Sequence, residues 1–233
     1  MTVAIDVRGL EKSFRLHNQG GIDLPVLRNL NFAVEPGECV VLSGPSGAGK
    51  STLLRCLYGN YVPQTGHIFI RHGNALIDVR TAHHRMILEM RRKTLGYVSQ
   101  FLRVVPRVST LDVVAEPLRR LGTPANAARD RAVELLTRLA VPERLWALPP
   151  QTFSGGEQQR VNIARGLAAE HPILLLDEPT AALDADNRLR VATLIEAAKA
   201  RGAAVVGIFH DQDFAASVGT RWFDMAPLAR IAA

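Results

Sequence analysis

Residues 44–52, Gly44-Pro45-Ser46-Gly47-Ala48-Gly49-Lys50-Ser51-Thr52, constrain the fold of this chain more than any other stretch. They fit the phosphate-binding pattern G-x-x-x-x-G-K-S/T. The pattern has its meaning only between a strand and a helix. Cys39-Val40-Val41-Leu42 supplies an apolar, strand-like run before it, and residues 51–58 read as helix after it. Glycines let the backbone wrap closely and aim its N–H groups at phosphate oxygens. The helix N-terminus adds a partial positive charge at the same place. Lys50 is then placed to reach β- and γ-phosphates, and the Ser51 hydroxyl to bind Mg²⁺.

The rest of the chain supplies the sheet around this loop. Residues 3–7 alternate like an edge strand, and residues 26–34 read as a second strand. Between them, residues 8–25 are polar, with Asn18-Gln19-Gly20-Gly21 marking a hairpin turn. Residues 66–80 read as another hairpin with His72-Gly73-Asn74 at its tip, followed by a helix over 83–92 and a short strand over 95–99. From 101 to about 152 the character changes. Helical spacing over 109–121 and 125–140, punctuated by Pro106, Pro124, Pro142 and Pro149-Pro150, predicts an all-helical lobe. Apolar strands return at 173–176 and 204–209, with helices between and after them. Continuous aliphatic strands alternating with helices imply a buried, mostly parallel sheet. The predicted fold is α/β: a phosphate-loop core with an N-terminal antiparallel β subdomain (1–100 together), an inserted helical subdomain over 101–164, and a core completed by 165–233.

Several side chains fall where this core would use them. Ile173-Leu174-Leu175-Leu176-Asp177-Glu178 is a buried strand ending in two carboxylates. Beside the phosphate loop, Asp177 would stand near Mg²⁺ and Glu178 would orient the water behind the γ-phosphate. Gln100 ends the strand over 95–99, where an amide can ligate Mg²⁺ or hold the attacking water. His210 follows the strand over 204–209 and can bond the γ-phosphate or Glu178. Phe14 is placed to stack on adenine, although such an aromatic also suits a core. Ser154-Gly155-Gly156-Glu157 opens a helix with Ser154 as N-cap, a second anion site built from backbone N–H groups. In one monomer that segment sits on the lobe. It would reach a γ-phosphate only across a two-fold interface.

Composition narrows the function classes. No apolar stretch in the 233 residues approaches the ~20 needed to span a bilayer, so direct membrane insertion is not expected. Asp6, Arg8, Glu11 and Lys12 interrupt the N-terminus, which therefore does not read as a signal peptide. Net charge is +6, but only 6% of residues are aromatic and no basic-aromatic patch is interleaved, so nucleic acid is not expected either. Arg91-Arg92-Lys93 reads as a solvated helix end or a partner-facing patch. Cys39 and Cys56 read as buried, reduced thiols of a cytoplasmic protein. The histidines other than His210 lack carboxylate or cysteine companions and read as surface residues, with no zinc site.

Taken together, residues 44–52, Gln100, Ser154 to Gln158, Asp177-Glu178, Ala182 to Asp184 and His210 resemble, in order, the motifs of the ABC-type ATPases. Phe153 and Glu157 stand where leucine and glutamine are commoner in that family. The resemblance implies ATP and Mg²⁺ as cofactors and an ATP-dependent homodimer or pairing with another ABC-type subunit. Four stretches, GECVVLSGPSGAGKSTLLRCLYGNY (37–61), VSQFLRVVPRV (98–108), VPERLWAL (141–148) and GAAVVGIFHD (202–211), further resemble the PhnL family of ABC-type proteins. That resemblance implies soluble partners in the bacterial carbon–phosphorus lyase complex. It also implies a part in forming α-D-ribose 1-methylphosphonate 5-triphosphate from ATP and methylphosphonate. The alternative is the ATPase of a membrane transporter or lipoprotein-release complex, which carries the same ATP motifs. A non-hydrolysing clamp is disfavoured by the presence of Glu178 and His210. The surface after Gln100, over 101–107 with Arg103 and Arg107, is where these alternatives would differ.

Overall fold

Three runs of aliphatic residues, in β3 (Cys39–Ser43), β7 (Ile173–Asp177) and β8 (Ala204–Ile208), carry almost no polar side chain and are buried nearly throughout. Strands of that composition are stable only with both faces covered. They form the middle of a five-stranded parallel sheet of order β6-β7-β8-β3-β9, with β6 (Leu95–Val98) and β9 (Arg221–Asp224) at its edges. The structure, a computed structural model, describes residues 3–16, 21–103 and 106–225.

A second, antiparallel sheet of order β2-β1-β4-β5 is built from β1 (Ile5–Leu16), β2 (Ile22–Val34), β4 (Thr65–His72) and β5 (Ala75–Asp78). Here β1 lies between β2 and β4 rather than at an edge. It also runs nine residues further than the alternation over 3–7 suggests, through the polar stretch that follows. Register shifts after Val7, Leu10 and Lys12 break the period of two, and one sheet face is solvated, so polar residues are accommodated. Leu16 pairs with Ile22 across the hairpin; of its expected turn residues, 18–20 lie outside the described residues, and Gly21 has φ +79°.

Helix α1 (Lys50–Leu57) follows β3 and buries Leu53, Leu54, Cys56 and Leu57 against both sheets, in one core with Ile5, Ile68, Ile70, Leu175 and Val206. After α2 (His84–Lys93) and β6, the chain forms the helical lobe: α3 (Thr110–Arg120), α4 (Ala125–Arg138) and the start of α5 (Gly155–Ala168). Val114, Leu135, Leu136 and Val161 are fully buried in a second core that the lobe shares with α6 (Ala185–Ala200) and α7 (Gln212–Val218).

Further expectations need correction. His67, read as lacking a carboxylate companion, has its Nδ1 2.8 Å from Asp78 Oδ2. Residues 221–224 form a strand, although only helix was expected after β8; β9 is short and largely exposed, so neither length nor hydrophobicity announces it. His171 is buried rather than on the surface, with its Nε2 3.2 Å from the Arg92 carbonyl, and burial lowers its pKa.

Candidate functional site

Residues 44–52, Gln100, Asp177, Glu178 and His210, but not Phe14 or Ser154 to Glu157, meet at the C-terminal ends of four neighbouring strands. The phosphate loop follows β3, Asp177 ends β7 with Glu178 just after it, His210 follows β8, and Gln100 follows β6. Such a line of strand ends is where open α/β sheets bind ligands.

Gly44 has φ +126°, and a Cβ there would stand 2.5 Å from the Met225 carbonyl oxygen, so only glycine fits. Gly49 is the N-cap of α1 in left-handed conformation, with no side-chain cap and no acid in the first turn. The N–H groups that open α1 are therefore available to an anion. Pro45, Ser46 and Gly47 are exposed and Ala48 is buried beneath them. Lys50 Nζ donates to the carbonyls of Gly44 (2.6 Å) and Pro45 (2.9 Å), so its ammonium is already folded over the loop. Thr52 is half-buried in the first turn of α1.

Ser51 Oγ donates to Asp177 Oδ1 at 2.9 Å. Asp177 is buried, and its Oδ2 accepts from the Tyr97 hydroxyl at 3.0 Å. A hydroxyl and a carboxylate side by side at the mouth of a phosphate loop are the oxygen donors that Mg²⁺ selects. Ser51 and Asp177 are thus the residues that would hold it.

Glu178 has φ +53°, an uncommon backbone conformation for a residue other than glycine. Its own N–H bonds the Ile208 carbonyl at 3.1 Å, tying the turn to β8. Glu178 Oε2 accepts from Gln100 Nε2 at 2.9 Å, and Oε1 lies 2.7 Å from His210 Nε2. Strands β6, β7 and β8 thereby bring two residues distant in sequence, Gln100 and His210, onto the Glu178 carboxylate. Gln100 contacts Glu178 rather than Asp177.

Phe14 lies on β1, packed edge-to-face on Tyr61 with centroids 5.1 Å apart, and Lys12 sits 5.0 Å over its ring. Ser154 is the N-cap of α5 in a complete capping box. Its Oγ accepts from Glu157 N and donates to Glu157 Oε2, which also takes the Ser154 N–H. These bonds hold the Glu157 carboxyl below its usual range. Ser154 and Gly155 are exposed, so the start of α5 faces outward from the lobe. Asp184 caps α6 through Asn187, which holds its carboxyl low.

Sequence reading missed the residues that join the lobe to the site. Asn162 Nδ2 donates to the Ser99 carbonyl at 2.6 Å, and Gln159 Nε2 donates to the Pro179 carbonyl at 2.9 Å. Helix α5 is thus bonded to the residue before Gln100 and the residue after Glu178. Asn162 and Gln159 are polar residues on an otherwise buried helical face, a signal that could have flagged them. Beside them a cleft of ≈ 460 Å³ opens between core and lobe, lined among others by Arg91, Arg92, Arg103, Glu116, Arg120 and Arg165. The last-turn position foreseen for Arg91 is observed, but Arg91 is not merely solvated. It donates to the Tyr58 carbonyl and Asn60 and lies 4.8 Å over the Tyr58 ring.

Comparisons with known proteins give the family. Residues 27–181 match the family described as ABC transporter. The lipoprotein-releasing system ATP-binding protein LolD of Maricaulis maris is 42% identical over 194 residues, covering 83% of this chain and 82% of that protein. The glutamine transport ATP-binding protein GlnQ of Geobacillus stearothermophilus is 33% identical, over 85% of this chain and 80% of that protein. The dimeric post-hydrolysis structure of the ATP-binding cassette MJ0796, bound to ADP and Pi, superposes with TM-score 0.86 at 31% identity and 97% coverage of both chains. No helix among the described residues is long and apolar enough to cross a membrane. The chain belongs to the ABC transporter family of ATP-binding proteins.

Proposed function

We propose that this chain hydrolyses ATP as a closed pair of cassettes and passes the resulting movement to a partner docked on its helical lobe. The single observation that carries the reading is the convergence of Gln100 and His210 on Glu178, beside the phosphate loop. Lys50 and the N–H groups of residues 44–52 bind the phosphates, and Phe14 stacks on the base. Ser51 and Asp177 would hold Mg²⁺, which would neutralise phosphate charge when bound. Glu178 accepts a hydrogen bond from the attacking water and draws its proton toward the carboxylate. Gln100 and His210 fix the two carboxylate oxygens, so the water is held at one angle. Ser154, Gly155, Gly156 and Glu157 of a second cassette close over the γ-phosphate. The dimeric MJ0796 structure supports this pairing. The division into a core over 1–100 and 165–233 and a lobe over 101–164 makes the lobe the moving part.

The partner has two readings. The lipoprotein-release and amino-acid-transport names of the curated relatives favour a membrane assembly that this chain serves from the cytoplasmic side. The second reading is a soluble subunit of the carbon–phosphorus lyase system, assisting synthesis of α-D-ribose 1-methylphosphonate 5-triphosphate. It rests on the stretch 98–108, which includes Gln100 but runs beyond it, and the stretch 141–148, which lies outside the ATP motifs; both resemble the PhnL family. In both, the arginines of the cleft and the exposed Phe101 offer the docking surface, and an acidic or polar partner surface fits it.

The deciding experiment recovers tagged Glu178→Gln protein from its native cells grown on a phosphonate, with ATP present throughout. An integral membrane permease in the complex establishes the first reading. Soluble carbon–phosphorus lyase subunits, with the protein in the cytosolic fraction, establish the second. A wild-type protein without Mg²⁺-dependent ATPase activity, alone or with those partners, overturns both.

A further inference from the structure

Helix α1 presents Ser51 and Arg55 one turn apart, on the side that faces β7 and β6. Ser51 bonds one oxygen of Asp177 directly, at 2.9 Å. The other oxygen is taken by Tyr97 of β6, at 3.0 Å. Arg55, on the same helix, donates to the Tyr61 hydroxyl at 3.1 Å. A carboxylate oxygen only accepts, so the Tyr97 hydroxyl donates its proton to Asp177. Asp177 is buried, and each of its two oxygens has a donor of its own.

The Tyr97 ring is itself held. It stacks on Tyr58, which follows α1, with centroids 4.9 Å apart and ring planes 26° from parallel. Tyr58 is in turn gripped by Arg91, which lies over its ring and donates to its carbonyl at 3.0 Å. The hydroxyl therefore reaches Asp177 from a ring with little freedom to swing, and that fixes the rotation of the carboxylate about its last bond. Strand β6 thus contributes two groups to the site. Gln100 at its end bonds Glu178, and Tyr97 within it bonds Asp177.

We propose that Tyr97 is a positioning residue for the metal-binding carboxylate of Asp177. It holds one oxygen so that the other stays directed at Ser51, where Mg²⁺ would bind. The assignment rests on the reading of Ser51 and Asp177 as the metal-binding pair. Without the hydroxyl, a buried carboxylate oxygen loses its donor and turns to find another. The metal site then loses its preset geometry, a requirement that Mg²⁺ enforces more strictly than larger cations do.

The test is Tyr97→Phe, which keeps the ring and its stack on Tyr58 and removes only the hydroxyl. Mn²⁺ binding to the ADP-loaded protein, read by electron paramagnetic resonance, should weaken about three- to tenfold. ADP affinity measured in EDTA should stay unchanged. The Mg²⁺ concentration for half-maximal ATPase should rise by a similar factor, with the rate recovered at high Mg²⁺. Unchanged or tighter Mn²⁺ binding, with only a lower melting temperature, overturns the proposal and leaves Tyr97 a packing residue. A wild-type protein that binds Mn²⁺ no better with ADP than without it would instead remove the metal assignment of Ser51 and Asp177. Tyr97→Leu, which also removes the stack, should weaken Mn²⁺ binding at least as much as Tyr97→Phe; normal binding in that variant likewise overturns the proposal.

Discussion

His210 Nε2 lies 2.7 Å from Glu178 Oε1, on the carboxylate whose other oxygen takes the Gln100 amide. His210 is exposed, whereas Glu178 is mostly covered, so the pair spans the boundary between solvent and site. Replacing Glu178 by Gln keeps the shape and removes the group that draws the proton from water. Glu178→Gln should bind ATP normally and turn over ~10²–10⁴-fold more slowly. Single-turnover phosphate release checks this. Release near the wild-type rate would move the role to His210.

Lys50 is bonded to two carbonyls of its own loop, Gly44 and Pro45. Phosphate oxygens must draw the ammonium away from these contacts, and a charge-assisted bond to phosphate is stronger than one to a neutral carbonyl. Lys50→Ala should lower nucleotide affinity at least tenfold by calorimetry. Unchanged affinity would refute the assignment of residues 44–52.

Ser154 is exposed at the start of α5, and its hydroxyl is held by Glu157. A two-fold pair presents each such segment to the other subunit's phosphate loop. Glu178→Gln should therefore dimerise with ATP, and adding Ser154→Arg should abolish the dimer. Light scattering with and without ATP decides it. A dimer that tolerates Ser154→Arg would place the interface elsewhere.

Burial pushes the thiols of Cys39 and Cys56 up to about 12, from an ordinary value near 9. Both should resist Ellman's reagent in the folded protein at pH 8. Between pH 9 and about 12 the unfolded chain releases these protons while the folded chain retains them. Stability is fully present below pH 9 and falls as pH rises through that window. In urea unfolding, Cys39→Ala with Cys56→Ala should flatten that decline by on the order of 1 kcal/mol per pH unit for each thiol removed. An unaltered slope would mean that other groups dominate.

The parts of this site that can be read from sequence are local. A glycine loop needs no distant partner to be recognisable, and Asp177-Glu178 and His210 each close an aliphatic run whose length marks a buried strand. The helical lobe is legible because helical spacing runs without a strand from α3 to α4. What escapes is set by tertiary contact. Tyr97 looks like any strand aromatic until Asp177 is beside it, and Asn162 gains meaning only from the Ser99 carbonyl. The inner place of β1 is hidden because β4, which flanks it, comes some fifty residues later and a bulged register blurs the alternation.

The last prediction concerns the cleft between core and lobe. Five arginines line it against one glutamate, and Glu116 already pairs with Arg120 and Arg165. Arg103 is exposed at the start of the lobe, and its carbonyl accepts from Arg165, so the backbone there is anchored, while among the described residues its guanidinium has no hydrogen-bond or ion-pair partner. Arg107 is exposed in the same segment. Of the docking residues expected over 101–107, Val104 and Val105 lie outside the described residues. Neither arginine touches Glu178, Gln100 or the phosphate loop, so Arg103→Glu with Arg107→Glu should leave basal ATPase within about twofold of wild type. Rim charges act mainly on association rate and are screened by salt. Partner binding should weaken at least tenfold at low ionic strength, and the loss should shrink as salt is raised. Surface plasmon resonance against the partner recovered with Glu178→Gln measures both. Wild-type association with the double variant at low salt would show that the partner docks away from this cleft.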